Sequence, residues 1–406
     1  MADTENNKNS NSPAERAQGN APALRFPGFT DLWIERPLSE LVERVTRKNS
    51  DIQSTLPLTI SAIYGLVDQK SFFNKIVAGE NLAGYYLIKN GEFAYNKSSS
   101  SDYPWGAIKR LDNHSEGVLS TLYICFSPKS SICSDYLAQY FESSKWHNGI
   151  SEIAQEGARN HGLLNVGIKD FFATKHHIPI SISEQETIAK FLQLLDERIA
   201  TQRRLIEDLE KLKSSIVDRI FSDVSGEVVK YRDVLEVSNQ RNDGKADYSI
   251  LSASQELGMI ERESLDIDIK AEAKSVKAYK RVHAGDYVLH LRSFQGGLAF
   301  AEVEGICSPA YTILRPNKRL EYGYLKEYFN SSKFIKSLVL VTYGIRDGRS
   351  INVDEFLDMN FSIHSKDKQV EIIKSLSSLS GKLNVETSIL NRYEQQRAYL
   401  LGKLFI

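Results

Sequence analysis

QETIAKFLQLLDERIATQRRLIEDLEKLKSSIVDRIF, residues 185–221, superimposes without a gap on QVEIIKSLSSLSGKLNVETSILNRYEQQRAYLLGKLF, residues 369–405. A constant shift of 184 carries Gln185 onto Gln369, Ile188 onto Ile372, Leu192 onto Leu376, Ile199 onto Leu383, Ile216 onto Leu400 and Phe221 onto Phe405. The apolar positions step by three and four, which predicts a helix with a narrow apolar seam. In the first copy Ile188, Leu195, Gln202, Leu209 and Ile216 take the d positions. Leu192, Ile199, Ile206, Lys213 and Ile220 take the a positions, so each copy reads as a long coiled-coil helix. Ser183 and Ser365 are the expected N-caps. Gly381 weakens the second copy by about 1 kcal/mol relative to Ala.

The seam is polar at the same two places in each copy: Gln202 and Glu386 share a d position, Lys213 and Arg397 an a position. Antiparallel packing sets a against d, which predicts the pairs Lys213–Glu386 and Gln202–Arg397 about a pseudo-twofold axis. Such polar layers fix register at some cost in stability.

The repeat extends upstream of both helices in the same order. LTISAIYGLV (58–67) corresponds to ILSASQELGMI (250–260), with Ser61-Ala62 set on Ser252-Ala253. YYLIKNGEFAYNKS (85–98) corresponds to YKRVHAGDYVLHLRS (279–293), and GVLSTLYICF (117–126) to GICSPAYTIL (305–314). YLAQYFESSK (136–145) matches YLKEYFNSSK (324–333), and GARNHGLLNV (157–166) matches GIRDGRSINV (344–353). Short β-branched and aromatic runs surround one amphipathic helix, expected at Tyr136–Ser144 and Tyr324–Ser332. The fold class is therefore α+β, with two tandem globular domains, each followed by a long helix, and the helices paired as an antiparallel coiled coil. The expected boundaries are a disordered tail 1–24, a first domain 25–182, a helix 183–222, a second domain 223–364 and a helix 365–406.

Composition agrees with a globular chain of two or three domains: 406 residues, 41% of them apolar. A net charge of −1 argues against a chain that grips nucleic acid by itself. The charges balance within each half, 16 positive and 16 negative over 25–182, 19 positive and 21 negative over 223–364. Cys125, Cys133 and Cys307 form no CxxC pair, the first residues lack a signal-peptide apolar core, and no run suits a membrane span. A soluble protein of the reducing cytoplasm is the expectation.

Catalytic patterns are missing. The sequence has no GxxxxGK[ST] loop, no GxGxxG, no adjacent prolines and no HxxxH pair. His176-His177 reads as a surface doublet. Asp266 or Asp268 with Glu272-Ala273-Lys274 has the form of a nuclease metal site, but the first half holds nothing corresponding. No metal and no catalytic residue are assigned.

Two globular units, each followed by a long helix, the first opening on an SxxEQ-like turn and continuing IAKFLQLLDERIATQRRLIEDLEKLK, resemble the specificity subunit of type I restriction–modification systems; the second helix departs in SLSSLSGKLNVETSIL, where Gly381 and several Ser residues replace the family's Leu/Asp/Glu/Arg-rich pattern. FPGF (26–29) before Trp33, YLIKNGEFAYNKS and GARNHGLLNV add to the likeness, which covers the chain after the tail. The resemblance implies a non-catalytic bacterial protein whose domains each read half of a bipartite target in double-stranded DNA, with the helices setting the gap. It also implies docking of two modification (methyltransferase) subunits and of restriction (endonuclease/translocase) subunits. S-adenosylmethionine, ATP and Mg²⁺ would then sit on those partners and none on this chain. The alternative is a non-DNA scaffold, two ligand-binding domains on a coiled-coil arm.

Base readout favours Arg to guanine and Asn or Gln to adenine. The loops at equivalent places supply Lys97, Ser98, Tyr103, Arg159, Asn160 and His161 in the first half. Arg292, Gln295, Arg346 and Arg349, with Asp347, are their counterparts in the second. Tyr64 and Trp105 read as core aromatics.

Overall fold

The computed structural model describes residues 20–62, 64–74, 78–79, 81–154, 162–222, 226–242, 244, 248–254, 257–264, 278–290, 293–344 and 350–406. They form two compact units, one of the residues up to Thr201 together with Leu390–Ile406, the other Gln202–Ile389. The fold is α+β.

In the first unit a four-stranded antiparallel sheet runs in the order Val42–Val45, Ile124–Pro128, Phe93–Asn96, Ala107–Arg110. Its second and third strands are buried on both faces, and their period-two alternation sorts side chains into two cores. Phe93, Tyr95, Ile124 and Phe126 join the large core that also takes Ile188, Leu192, Leu195 and Ile199 of the long helix. Ala94 and Cys125 point to a smaller core with Leu58, Ile88 and Leu119. Two antiparallel strand pairs, Leu58–Ser61 with Gly65–Asp68 and Tyr86–Lys89 with Glu116–Leu119, cover that smaller core. Strand Ile34–Pro37 pairs with Lys175–Ile178, so the chain leaves the domain beside its entry, at the start of the long helix.

The second unit repeats this plan. Its sheet runs Leu235–Ser238, Thr312–Pro316, Tyr287–Leu289, Ala299–Phe300. Tyr287 and Leu289 face one core and Val288 the other. The covering pairs are Leu251–Ser254 with Gly258–Glu261 and Lys280–Val282 with Gly305–Cys307. One element differs. Helix Ser134–Glu142 has no full counterpart, because 324–332 holds turns and the 3₁₀ turn Tyr328–Asn330, and an α-helix forms only at Ser332–Ser337. The carbonyl of Phe329 accepts from the Leu298 amide instead of a helical partner. Ser331, in extended backbone, then caps a new helix by accepting from the Phe334 amide at 3.2 Å.

The long helices span Ile182–Ile220 and Lys366–Leu404, 39 residues each. The first begins before Ser183. Ser181 is the cap, its hydroxyl accepting from the Glu184 amide at 3.3 Å. Ser365 does hold the capping position of the second, its carbonyl accepting from the Gln369 amide. Gln185 and Gln369, each 1% exposed, tie the helix starts to their own domains. Gln185 accepts from the Cys133 amide and donates to the Pro179 carbonyl. Gln369 accepts from the Glu321 amide and donates to the carbonyls of Arg319 and His364. No helix of the described residues is long and apolar enough to cross a membrane.

The helices run antiparallel within each unit. In the first, Asp196 pairs with Arg397, and Arg198 donates to the Tyr393 hydroxyl at 2.7 Å. In the second, Gln202 Nε2 donates to Glu386 Oε2 at 2.7 Å. The expected pairs Lys213–Glu386 and Gln202–Arg397 do not form. Equivalent residues meet each other at 202 and 386, a register about three helical turns from the expected one. Lys213 and Arg397 turn instead to carboxylates outside that seam pairing.

Those two cations reveal an exchange within the repeat. In the first unit Arg397 pairs with Asp196 of the helix, and Gln139 of the domain donates to the same carboxylate at 3.0 Å. In the second, Lys213 pairs at 2.6 Å with Glu327, the counterpart of Gln139, and Ser380, the counterpart of Asp196, donates to Glu327. The cation keeps its place while the carboxylate moves from helix to domain. Asp196→Ser is expected to destabilise the first unit by about 2 kcal/mol, since it strands a half-buried guanidinium. Adding Gln139→Glu should recover most of that loss in a urea titration, and a double variant no more stable than the single one would refute the exchange.

Gly381 lies on the open face of its helix, where a methyl group in place of its hydrogen would meet nothing within 4 Å, and the same holds for Gly402. Gly381→Ala should raise stability by about 1 kcal/mol. An unchanged or lower thermal midpoint would contradict this.

Candidate nucleic-acid interface

Strand Phe93–Asn96 leaves the sheet into residues 97–106 and returns as Ala107–Arg110. Asn96 Oδ1 accepts from the Ser98 amide at 3.0 Å, Ser100 Oγ from the Tyr103 amide at 3.2 Å, and Tyr95 donates its hydroxyl to the Trp105 carbonyl at 2.9 Å. Gly106 closes the loop at φ +77°, where a side chain would strike the Asn96 carbonyl at 2.1 Å. Lys97 is half-buried, while Ser98 and Tyr103 are exposed.

Arg159, Asn160 and His161 lie outside the described residues, but the chain that follows them is placed. Ser98 bridges to Leu163, the Leu164 amide donates to the Lys97 carbonyl at 2.9 Å, and the Ser99 amide donates to Gly162. Residues 97–99 and 162–164, the latter directly following the second selected segment, therefore meet edge to edge.

The second unit does the same with different chemistry. Gln295 is exposed on the short helix Ser293–Gly296, which follows strand Tyr287–Leu289 and opens where Ser293 Oγ accepts from the His290 amide at 2.8 Å. Gly297, at φ +78°, seats the loop against the Phe329 carbonyl. Arg292, Arg346, Asp347 and Arg349 lie outside the described residues. The strands flanking 345–349, Thr342–Tyr343 and Ser350–Ile351, pair with each other, and the short helix packs on the second of them.

Several expectations change. Tyr64 is 66% exposed rather than in the core, because the turn it occupies extends beyond the strand pair. Trp105 does pack on the large core. His176 is buried, since strand Lys175–Ile178 turns it inward to Tyr140 and Thr174. Leu257, 69% exposed at the counterpart of Tyr64, is a surface residue that the sequence did not single out. The spacing that would have found it is Ser-x-x-apolar-Gly, present at 61–65 and 254–258 but obscured by setting Ser61 on Ser252.

Among the described residues no group of three or more His, Cys, Asp or Glu is placed to hold a metal. Asp266, Asp268 and Glu272 lie outside them. Burial pushes the Cys125 and Cys307 thiols up to about 12, so neither is a ready nucleophile.

Neither a protein-family model nor a curated protein matches the sequence. Solved structures do. A chain from a structure described as underlying complex assembly and conformational transition of the type I R-M system aligns over 94% of this chain and 98% of its own, with a TM-score of 0.57 at 17% identity. The type I restriction–modification S subunit from M. genitalium aligns over 95% of this chain and 99% of its own, with a TM-score of 0.52 at 14% identity. The chain has the fold of a type I restriction–modification S subunit. Within this S-subunit fold, the sequence-selected loops occupy the same place in both units, at the end of the central sheet strand and beside the segment that leads to strand Lys175–Ile178 or Asn360–Ile363.

Proposed function

We propose that this chain is the DNA-specificity subunit of a bacterial type I restriction–modification complex. Each unit reads one half of a bipartite duplex target, and the paired helices set the unread gap and dock two modification subunits, which restriction subunits join. The domain divisions follow that scheme: tail 1–24, recognition domains 25–182 and 223–364, spacer helices 183–222 and 365–406. The chain is non-catalytic, and S-adenosylmethionine, ATP and Mg²⁺ belong to its partners in the cytoplasm.

What supports this reading is that, in both units, the segments bordering polar loops of different sequence come together on one duplicated frame. Chemistry that must stay constant would keep both loops alike; reading two different half-sites requires them to differ. The balanced charge fits as well. Phosphate contacts dominate affinity, so near-neutral reading heads can choose a sequence while partner subunits supply most of the grip.

The test is to express the chain with its modification subunits and map methylated adenines. Arg346→Ala should cost about 1–3 kcal/mol and relax specificity in one half-site, whereas Lys97→Ala should weaken binding uniformly if its ammonium meets phosphate. Unchanged methylation specificity would remove Arg346 from the interface. Absence of any sequence-specific methylation would favour the ligand-binding scaffold, and Mg²⁺-dependent cleavage by the isolated chain would direct attention to Asp266 and Glu272.

A further inference from the structure

The two covering hairpins carry a feature that the loops do not explain. Leu58–Ser61 with Gly65–Asp68 and Leu251–Ser254 with Gly258–Glu261 share one turn geometry. Ser61 Oγ accepts from the Tyr64 amide at 3.1 Å, and Ser254 Oγ from the Leu257 amide at 3.2 Å. Each apolar residue precedes a left-handed glycine, Gly65 at φ +78° and Gly258 at φ +77°. The result is the same in both units: a large apolar side chain at the tip, 66% exposed for Tyr64 and 69% for Leu257.

The hairpins are also placed beside the loops. Strand Gly65–Asp68 packs on Ala107–Arg110, the strand that closes the 97–106 loop. Strand Gly258–Glu261 packs on Ala299–Phe300, and Gly258 lies so close that a side chain there would meet the Phe300 carbonyl at 2.4 Å. Each tip thus flanks the return of a candidate reading loop.

We propose that Tyr64 and Leu257 are apolar base contacts, each meeting a thymine 5-methyl group in the major groove of the half-site its unit reads. This rests on the DNA-specificity reading above. The major groove admits a two-stranded β-ribbon, and among the base edges there the thymine methyl is the apolar group. Leu257 carries no hydrogen-bonding group and Tyr64 presents an apolar ring, so the methyl is the base-edge group that both tips can meet by apolar contact, with the Tyr64 hydroxyl able to reach a neighbouring phosphate as well.

The experiment uses the full chain assembled with its modification subunits and a duplex carrying the mapped target. Tyr64→Ser and Leu257→Ser should each weaken binding roughly tenfold, with lost discrimination confined to one half-site. Replacing a single thymine of that half-site by uracil, which removes only the methyl, should weaken the unsubstituted complex similarly and leave the serine variant indifferent. If no uracil position acts this way, the proposal fails. It also fails if the variants assemble poorly with modification subunits yet bind DNA normally once assembled, for the tips then meet protein. A complex of the unsubstituted chain that binds no bipartite duplex would instead overturn the DNA-specificity reading itself.

Discussion

Glu184→Ala is expected to destabilise the first unit by about 3–5 kcal/mol, the range for removing one partner of a buried ion pair. Glu184 is 1% exposed in the first turn of its long helix. Arg25 Nε donates to Oε1 at 2.7 Å and a terminal nitrogen to Oε2 at 2.8 Å, while Trp33 Nε1 donates to Oε1 at 3.2 Å. One carboxylate therefore holds residues 25–33 to the helix, where Phe26 meets Phe191 edge-on and the Leu24 amide reaches the Lys403 carbonyl. Its loss leaves the indole N–H without its acceptor and the guanidinium with the Asp31 carbonyl in place of a carboxylate. Glu184→Gln, which keeps the shape and an acceptor, should lose about half as much. All three tryptophans, at 33, 105 and 146, belong to the first unit, so tryptophan fluorescence in a urea titration follows that unit alone. A loss under about 1 kcal/mol would mean that the pair contributes little beyond what water supplies.

Mild acid should destabilise the same unit through His176. Burial, with a smaller contribution from His177, lowers its imidazole to about 4. Its ring accepts and donates within a closed set, Nδ1 to the Tyr140 hydroxyl at 2.9 Å and Nε2 to the Thr174 hydroxyl at 2.8 Å. The unfolded imidazole titrates near 6.5. Between those values the unfolded chain binds a proton that the folded chain does not, so stability falls as pH drops from about 6.5 to 4 and levels off below. The full loss is roughly 3 kcal/mol. His147, lowered by its own burial, acts in the same direction. His176→Gln should be less stable at neutral pH but should lose less on acidification, as read from fluorescence-detected midpoints between pH 7 and 4. Equal slopes for both proteins would show that His176 is not held neutral.

Much of this molecule is legible in one dimension. The heptad spacing of Ile188, Leu192, Leu195 and Ile199 records which helix face is buried, and all four are buried. The duplication locates the loops because a frame kept in two copies shows where content differs. Side-chain partners are another matter. Lys213 and Glu327 are far apart in sequence, and whether the ammonium finds that carboxylate or Glu386 depends on the helix register and on the domain beside it. Both options satisfy the same pattern of charges.

Exposure at element ends was hidden for a related reason. Tyr64 and Trp105 are both aromatic, but one ends a hairpin and the other closes a loop over the core, a difference that composition does not encode. His176 beside His177 is the same case on a strand, since alternation sends neighbours to opposite faces and only the packed domain tells which face is inside. The sequence by itself determined the duplicated α+β plan and the two long helices, because these follow from periodicity and repetition along the chain. The tertiary structure alone decided the pairing of Gln202 with Glu386, the exchange of the carboxylate between Asp196 and Glu327, and the exposure of Tyr64 and Leu257. Each of those depends on distances between segments remote in sequence, which local pattern does not record.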